Sequence, residues 1–212
     1  NIDDPKKKGA TALCYAVYQR GIYFFDNLKY YHPLLLKNNF DYLNNENRIT
    51  PFGNVRSFED AQELINLLNS KNIPIEMKIK EVCGLNIEGQ TAFYTSIVEN
   101  NSILFNFLLK LNDRLNEQLN ENSELVDALI CAKNKDGKNP FFAICMNKNW
   151  KIYINRLLDK MVQLNKSGYF GKYGPLGAAI LSRNFKLIYI LLSEGFNIDH
   201  YSFNQIIKMN LY

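Results

Sequence analysis

The sequence predicts an all-α protein built from successive pairs of antiparallel helices, and three observations support this prediction. First, apolar residues recur three and four positions apart in segments that end on short polar turns, which is the period of a helix with one buried face. Second, the same order of anchor residue, short apolar helix, polar turn and Leu-Leu ending returns along the chain. Third, a single pair would leave most of its apolar surface in water, so each pair needs a similar neighbour.

Five copies of this arrangement are predicted, and each starts its first helix after a polar or small anchor residue. Successive anchors are 39, 41, 48 and 35 residues apart, so the copies differ in the insertions that they carry. With approximate bounds, the copies are 6–40 with anchor Thr11, 45–80 with Thr50, 86–125 with Thr91, 134–166 with Asn139 and 169–199 with Gly174.

The second copy departs most from the pattern. Gly53 and Asn54 stand where the other copies begin their first helix, so a regular first helix is not predicted there. Its second helix is predicted from Ser57, because Ser-Phe-Glu-Asp supplies an N-cap and an acidic first turn ahead of apolar residues at helical spacing.

The longest insertion follows the second helix of the third copy. Leu111, Leu115 and Leu119 continue the helical spacing there, which predicts a lengthened outer helix and then an extra short helix from Ser123. After the fifth copy, residues 200–212 are too few for a whole copy. They are expected to form one capping helix over the last apolar face.

The fifth copy shows the pattern most clearly, in YGPLGAAILSRNFKLIYILLSEGFNID at residues 173–199. Pro175 suits the first turn of a helix, because its φ is fixed and it has no N–H to leave unpaired. Ala179 is small enough for a neighbouring helix to approach closely. Residues 182–184 supply the polar turn, and Gly195 is expected to cap the second helix in the left-handed conformation.

These copies resemble the ankyrin repeat, whose signature is a Thr-Pro-Leu-His-x-Ala helix start, a second helix ending in Leu-Leu, and then Gly with an Asp or Asn turn. The fifth copy matches over about 26 residues without a gap. Asn86–Gly89 and Asn134–Gly137 stand where the family has an Asp-x-x-Gly hairpin, called the finger, before each helix pair. The Gly in each permits the positive φ of a tight turn.

The resemblance implies an ankyrin-repeat solenoid of about five stacked helix-turn-helix pairs with β-hairpin-like loops. The family repeat has 33 residues, so every interval between anchors carries an insertion. Residues 1–212 would then form a single ankyrin-repeat domain.

Composition argues against several functional classes. The formal net charge is +4, without an arginine-rich tract or an aromatic RNA-binding signature, so nothing indicates a nucleic-acid partner. No apolar run approaches the roughly 20 residues of a membrane-spanning helix. The cysteines lie far apart with no CxxC pair, which is typical of a reducing compartment rather than a disulfide framework. We therefore expect a cytoplasmic protein without a membrane span.

No catalytic, cofactor or metal site is predicted. Cys14 and Cys145 fall at small packing positions of their copies and are expected to lie in the core. Gly168, Gly171 and Gly174 form a G-x-x-G-x-x-G run, but it lacks the Lys-Ser/Thr of a P-loop and the strand of a dinucleotide site. The run is better explained as a flexible finger, since it stands where the other copies carry Asp-x-x-Gly.

The family resemblance implies a surface that binds another protein through a concave groove lined by the fingers and inner helices. A rigid repeated scaffold of this kind offers many side chains at fixed spacing with little ordering cost on binding. For Phe170 and Tyr173 the sequence leaves a second interpretation open, in which their rings brace the glycine-rich finger. The groove positions carried over from the family are Tyr18, Gln19, Glu88, Gln90, Val98, Glu99, Lys133, Lys135, Lys138, Met146, Asn147, Phe170, Tyr173 and Ser182.

Charge is unevenly distributed along the chain. Residues 133–160 carry an excess of about five positive charges, and residues 113–127 carry five acids with Arg114. Two interpretations remain open. Each run could be a solvated face, or an electrostatically marked docking surface that accelerates encounter with an oppositely charged partner.

The resemblance therefore implies a monomeric, non-enzymatic protein–protein interaction module. The 29 asparagines and the insertion-laden repeats resemble ankyrin effectors that intracellular bacteria such as Legionella deliver into the host cytosol, where the partner would be a host protein. Poxviral ankyrin proteins share this bias. The alternative is a non-catalytic targeting domain of a larger enzyme, and the lack of an initiator Met fits a piece of a longer polypeptide.

Overall fold

The computed structural model describes residues 49–70, 73–119, 125–166, 170 and 174–197. The fold of these residues is helical and contains no β-strand, only isolated bridges that join Leu85 to Ile49 and to Thr91. The prediction of an all-α protein is confirmed at this level. The first predicted copy, at 6–40, and the predicted cap at 200–212 lie outside the described residues.

The chain divides into two compact units, Asn1–Asp136 and Gly137–Tyr212, which are described separately. The first unit has a 3-10 turn at Phe52–Asn54, followed by α1 (Phe58–Ser70), α2 (Ile75–Val82), α3 (Ala92–Val98), α4 (Ser102–Asn116) and α5 (Ala128–Cys131). The second unit has α6 (Pro140–Met146), α7 (Trp150–Lys166), α8 (Pro175–Leu181) and α9 (Phe185–Ser193).

The predicted anchors stand at the starts of the first helices. Thr91 Oγ1 accepts a hydrogen bond from Tyr94 N at 3.1 Å, and Asn139 Oδ1 accepts one from Phe142 N at 3.0 Å. Each bond satisfies one of the backbone N–H groups that a helix start leaves without a partner. Gly174 is the N-cap residue of α8 but makes no side-chain bond. The frame inferred from the sequence therefore coincides with the helix starts.

At the remaining described anchor, Thr50, the chain makes only the short 3-10 turn at Phe52–Asn54, as the sequence indicates. Thr50 Oγ1 accepts a bond from Gly53 N at 3.1 Å and donates one to the Glu81 carbonyl oxygen at 2.8 Å. A Cβ at Gly53 would overlap the backbone of Leu85. Because Gly53 has no side chain, its backbone can pack directly against that of Leu85.

The turns inside two helix pairs have the same geometry. The second residue after the first helix has a positive φ, 57° at Asn100 and 54° at Arg183. The next residue caps the second helix, because Asn101 and Asn184 each accept a bond from the backbone N–H three residues later, at 3.0 and 3.2 Å. The polar turns read from the sequence thus end one helix and start the next with only three residues between them.

The predicted left-handed cap at Gly195 is confirmed. Its φ is 83°, and its N–H bonds to the Leu192 carbonyl oxygen at 3.1 Å. The N–H of the next residue, Phe196, reaches back to the Leu191 carbonyl oxygen at 3.0 Å. These two bonds form a Schellman motif, which satisfies the last carbonyl groups of α9.

The insertion after the third copy matches the prediction in part. Leu111 and Leu115 are buried on the lengthened helix α4, but α4 ends at Asn116 and Leu119 lies beyond it. The extra helix is α5, which starts at residue 128, whereas the predicted start at Ser123 lies outside the described residues.

A buried polar cluster joins the end of α4 to the start of α5. The Asp127 carboxylate accepts bonds from the side-chain amides of Asn112 at 3.0 Å and Asn116 at 2.9 Å. Asp127 is 6% exposed. One of the five acids that the sequence groups into a charged run therefore lies in the interior, where amide donors satisfy it, and does not contribute to a solvent face.

Helix α1 begins as predicted, because Ser57 Oγ accepts a bond from Asp60 N at 3.1 Å. Asp60 is 6% exposed, and among the described residues its Oδ1 has no hydrogen-bond partner. Burial raises the pKa of the Asp60 carboxyl, Ser57 counteracts this with a hydrogen bond, and the nearby Glu59 charge raises it further. The ionised carboxylate is therefore disfavoured in the folded state.

We expect Asp60→Asn to stabilise the protein at pH 7, with a smaller gain at about pH 4. A group whose folded pKa lies above its unfolded pKa binds more protons in the native state, so native stability falls as pH rises from the unfolded pKa through the folded one. The amide has no charge and avoids this loss. Urea unfolding at both pH values measures the effect, with exposed Asp113→Asn as control. A gain that does not depend on pH would contradict the assignment.

The core of the second unit lies along its two short inner helices. Helix α6 packs against α7 and α8, and α8 packs against α9. Ala178 and Ala179 have no exposed surface, and the same holds for Cys145, as predicted. Burial raises the pKa of the Cys145 thiol well above its usual value. This cysteine acts as a small core residue, since the thiolate is the reactive form and is strongly disfavoured here.

Because Ala179 is fully buried between packed helices, we expect Ala179→Leu to lower the free energy of unfolding by about 1 to 3 kcal/mol. The larger side chain would force neighbouring side chains out of preferred rotamers. Thermal and urea unfolding test this, with Asn155→Leu at an exposed position of α7 as the matched control. Equal stability of both variants would show that the contact has room.

Candidate protein-binding surface

The first finger is a tight hairpin held by Asn86. This side chain is 2% exposed, and its Oδ1 accepts bonds from Glu88 N at 3.0 Å and Gln90 N at 2.8 Å. Its backbone N–H bonds to the Gln90 carbonyl oxygen at 2.7 Å. Gly89 completes the turn with a φ of 79°. A buried amide thus fixes the backbone that carries Glu88 and Gln90, both of which are half-buried.

The second finger contacts the first. Lys135 N donates a hydrogen bond to the Gly89 carbonyl oxygen at 2.8 Å. A Cβ at Gly89 would overlap the aliphatic part of the Lys135 side chain. Within its own turn, Asn134 Oδ1 accepts a bond from Asp136 N at 2.9 Å, which repeats the role of Asn86. The two predicted fingers are therefore adjacent, and a glycine makes their close approach possible.

Arg56 connects two of the predicted groove residues. Its guanidinium lies 3.5 Å from Glu88 Oε1 and 3.4 Å from Glu99 Oε1. The Asn101 side-chain amide donates a bond to the Arg56 carbonyl oxygen at 2.8 Å, which holds the backbone of the arginine in place. Pairs this exposed contribute roughly 0 to 1 kcal/mol to stability. Their main effect is to position two acids around one cation.

Arg56 was not among the predicted site residues. It lies in the irregular connection of the second copy, where the repeat frame predicts no groove position. The sequence carries no signal for these ion pairs, because Arg56 lies 32 positions from Glu88 and 43 positions from Glu99.

The other predicted residues of the first unit lie on or beside the fingers and inner helix α3. Val98 is 49% exposed at the end of α3, and the Gln90 side chain accepts a bond from Thr95 Oγ1 at 3.3 Å. Lys133 and Lys135 are exposed. The pKa of Tyr94 is raised by its partial burial and, to a lesser extent, by the carboxylate of Asp136.

In the second unit, Met146 is the last residue of α6, and Lys138 lies two positions before the first residue of this helix. Met146 is 43% exposed. The Lys138 ammonium lies 5.3 Å from the ring centroid of Phe142, within the range of a cation–π contact. Asn147 has a local role, because its Oδ1 accepts a bond from Asn149 N at 2.7 Å and so shapes the turn before α7.

Two predicted groove residues of this unit, Phe170 and Ser182, are half-buried and make contacts within the unit. The ring of Phe170 lies 5.5 Å from that of Phe141 and 6.2 Å from that of Phe196, which matches the bracing interpretation of this residue. Ser182 Oγ donates to the Cys145 and Ala179 carbonyl oxygens at 2.9 and 3.0 Å. Its hydroxyl therefore joins α8 to α6.

The remaining predicted residues, Tyr18, Gln19 and Tyr173, lie outside the described residues. In the described ranges, no group of three or more His, Cys, Asp or Glu side chains is close enough to hold a metal ion. None of the helices described is both long and apolar enough to cross a bilayer.

The first unit also contains a pocket of about 380 Å³ with a largely apolar wall. It lies between α2 and α5 and is separate from the fingers. Its lining residues are Thr50, Ile79, Lys80, Cys83, Leu125, Ala128 and Ala132.

Comparison of the chain with models of known protein families, with curated proteins and with solved structures finds no match. The function of this protein is therefore inferred from its repeat pattern and from the geometry of its surfaces.

The finger contact gives a direct test through two glycines that share a left-handed φ, 79° at Gly89 and 83° at Gly195. An alanine at either position adopts this conformation at a cost of about 1 to 2 kcal/mol. Only at Gly89 does the new Cβ also meet another side chain, since a Cβ at Gly195 has no atom within 4 Å.

We therefore expect Gly89→Ala to lower the free energy of unfolding by more than Gly195→Ala does. Urea denaturation of the two variants measures the difference, and the glycine at the helix cap serves as the matched control. If both substitutions cost the same, the fingers are not in close contact.

Proposed function

We propose that this chain is an ankyrin-type protein-binding module, in which stacked helix pairs and their fingers present a groove to a protein partner. The single observation that carries the proposal is the bond between fingers, from Lys135 N to the Gly89 carbonyl oxygen at 2.8 Å. Two hairpins that precede successive helix pairs touch directly, as the arrangement of an ankyrin array requires. The coincidence of the sequence anchors with helix N-caps supports the same assignment.

The surface of the first unit is suited to binding because its side chains are held before a partner arrives. Asn86 fixes the backbone of the first finger, and Arg56 pairs with the carboxylates of Glu88 and Glu99. Association costs free energy for each long side chain that must be ordered, so a pre-ordered surface retains more of its contact energy. Val98 adds an exposed apolar group among these charges.

The charges of this surface favour a partner that itself carries both signs. Glu88 and Glu99 share one arginine, while Lys133 and Lys135 present positive charge on the next finger. A partner segment that carries a basic group, a small apolar group and an acidic group would complement this surface. Complementary charges of this kind accelerate encounter and discriminate between partners more than they increase affinity.

We propose binding without catalysis. The pKa of the fully buried Cys145 thiol is raised by burial, which disfavours a nucleophilic role, and Cys83 is also buried. The asparagine-rich, insertion-laden repeats support a module that acts on a host protein in the cytosol, as the resemblance to effector proteins implies.

The proposal is tested by changing the groove of the first unit at two exposed positions, Val98→Arg together with Lys135→Glu. The immobilised chain is first used to capture proteins from eukaryotic lysate, and a recurrent protein is then purified and titrated. We expect the double variant to weaken its binding by at least about tenfold, which corresponds to 1.4 kcal/mol.

The matched control is Ile103→Ser, which changes a 69% exposed apolar residue on the outer helix α4 of the same unit. It should bind like the parent, and both proteins should keep their helical circular dichroism. A partner whose affinity is unchanged by the groove variant, or is reduced equally by the control, would contradict the proposed surface.

A further inference from the structure

Helix α9 exposes an apolar face that the packing of its unit does not use. Phe185 and Tyr189 are 75% and 74% exposed, and Leu192 is 42% exposed. At spacings of four and three these residues share one side of the helix. Leu187 and Leu191 lie on the buried side, where they have no exposed surface.

Comparison with the outer helices α7 and α4 shows which positions of α9 correspond to core positions in other copies. We align α9, α7 and α4 on their first fully buried residues, which are Leu187, Tyr153 and Leu104. In this alignment Ile188 corresponds to Ile154 and Phe105, which are 2% and 1% exposed. In α7 and α4 this position is therefore part of the buried core.

Phe185 and Tyr189 occupy different positions, which are polar in the other outer helices. The aligned residues are Lys151 and Asn155 in α7, and Ser102 and Asn106 in α4. Repeat packing does not require apolar groups at these positions, so it does not explain the two aromatic side chains of α9.

The aromatic pair lies in a strongly basic unit. In its described residues the second unit has eight Lys and Arg but only two acids, Asp159 and Glu194. Arg183, two residues before Phe185, and Lys186, directly after it, are both exposed. A surface that combines exposed aromatic rings with positive charge is suited to an anionic bilayer, in which apolar acyl chains lie beneath negatively charged headgroups.

We propose that α9 anchors this protein to anionic membrane surfaces. The rings of Phe185 and Tyr189 enter the boundary between headgroups and acyl chains, where the tyrosine hydroxyl remains at the polar level. Arg183 and Lys186 contact lipid phosphates, and the other basic residues of the unit add long-range attraction. The helix lies along the surface and does not span the bilayer.

The geometry favours a lipid surface over a second protein groove. A stable protein interface buries roughly 800 Å² on each partner. Helix α9 has nine residues, a length of roughly 14 Å, so its exposed face is far smaller than that. Two protruding rings with basic neighbours need no matching pockets in a bilayer, whereas a protein partner would have to supply one for each ring.

The first test is co-sedimentation of the whole chain with vesicles. We expect binding to phosphatidylcholine vesicles that contain phosphatidylserine and at least tenfold weaker binding to phosphatidylcholine alone. Phe185→Ser with Tyr189→Ser should reduce binding to the anionic vesicles by about tenfold or more, since both rings leave the bilayer. Arg183→Glu with Lys186→Glu should do the same, and salt should weaken binding of the parent.

The matched control is again Ile103→Ser, because Ile103 is nearly as exposed as the aromatic pair, at 69%, but lies in the other unit. It should bind vesicles like the parent. The groove variant, Val98→Arg with Lys135→Glu, should also leave vesicle binding unchanged, so that failure of this inference and failure of the proposed function are distinguished.

The second test reports insertion directly. The native Trp150 is only 7% exposed, so Phe185→Trp adds a fluorophore in a different environment. We expect its emission to shift to the blue, and to be quenched by brominated lipids, when anionic vesicles are added. Binding that survives loss of both rings, or that occurs without a blue shift, would overturn the anchor. Displacement from vesicles by soluble polyglutamate with no effect of the aromatic substitutions would assign the basic surface to acidic polypeptides instead.

Discussion

The fold depends on keeping very short inner helices intact. Helices α3, α6 and α8 have seven residues each, and isolated helices of that length are unstable in water. They persist because side-chain caps satisfy their first N–H groups where Thr and Asn permit it, and because almost every residue of α6 and α8 is buried. Outer helices and insertions can vary in length, since they have one exposed side on which extra residues are tolerated.

Caps and turns do more here than stop helices. The buried Asn86 and Asn134 organise the fingers, and left-handed residues between paired helices let the chain reverse within three positions. In the fingers and turns, many backbone polar groups are therefore satisfied by residues a few positions away. In the proposed binding mode, exposed side chains make the contacts with the partner, and an ordered backbone lowers the ordering cost of binding.

Two surfaces with different chemistry follow from this scaffold. The finger surface combines paired charges with a single apolar group, which suits recognition of a specific protein segment. The outer face of α9 combines aromatic rings with an excess of basic residues, which suits a membrane interface. The two proposals assign membrane attachment and protein binding to separate sets of residues in one module.

The sequence by itself determined the helical class, the anchors, the capping serine at 57 and the left-handed glycine at 195, because all of these depend on contacts within a few residues. Only the tertiary structure decided that Arg56 bridges Glu88 and Glu99, that Asp127 is buried by amides, and that the Phe170 ring packs on Phe141. These contacts join residues 11 to 43 positions apart, as in the Asp127–Asn116 and Arg56–Glu99 pairs. Periodicity and turn chemistry describe the local chain only, so they carry no signal for such distant pairings.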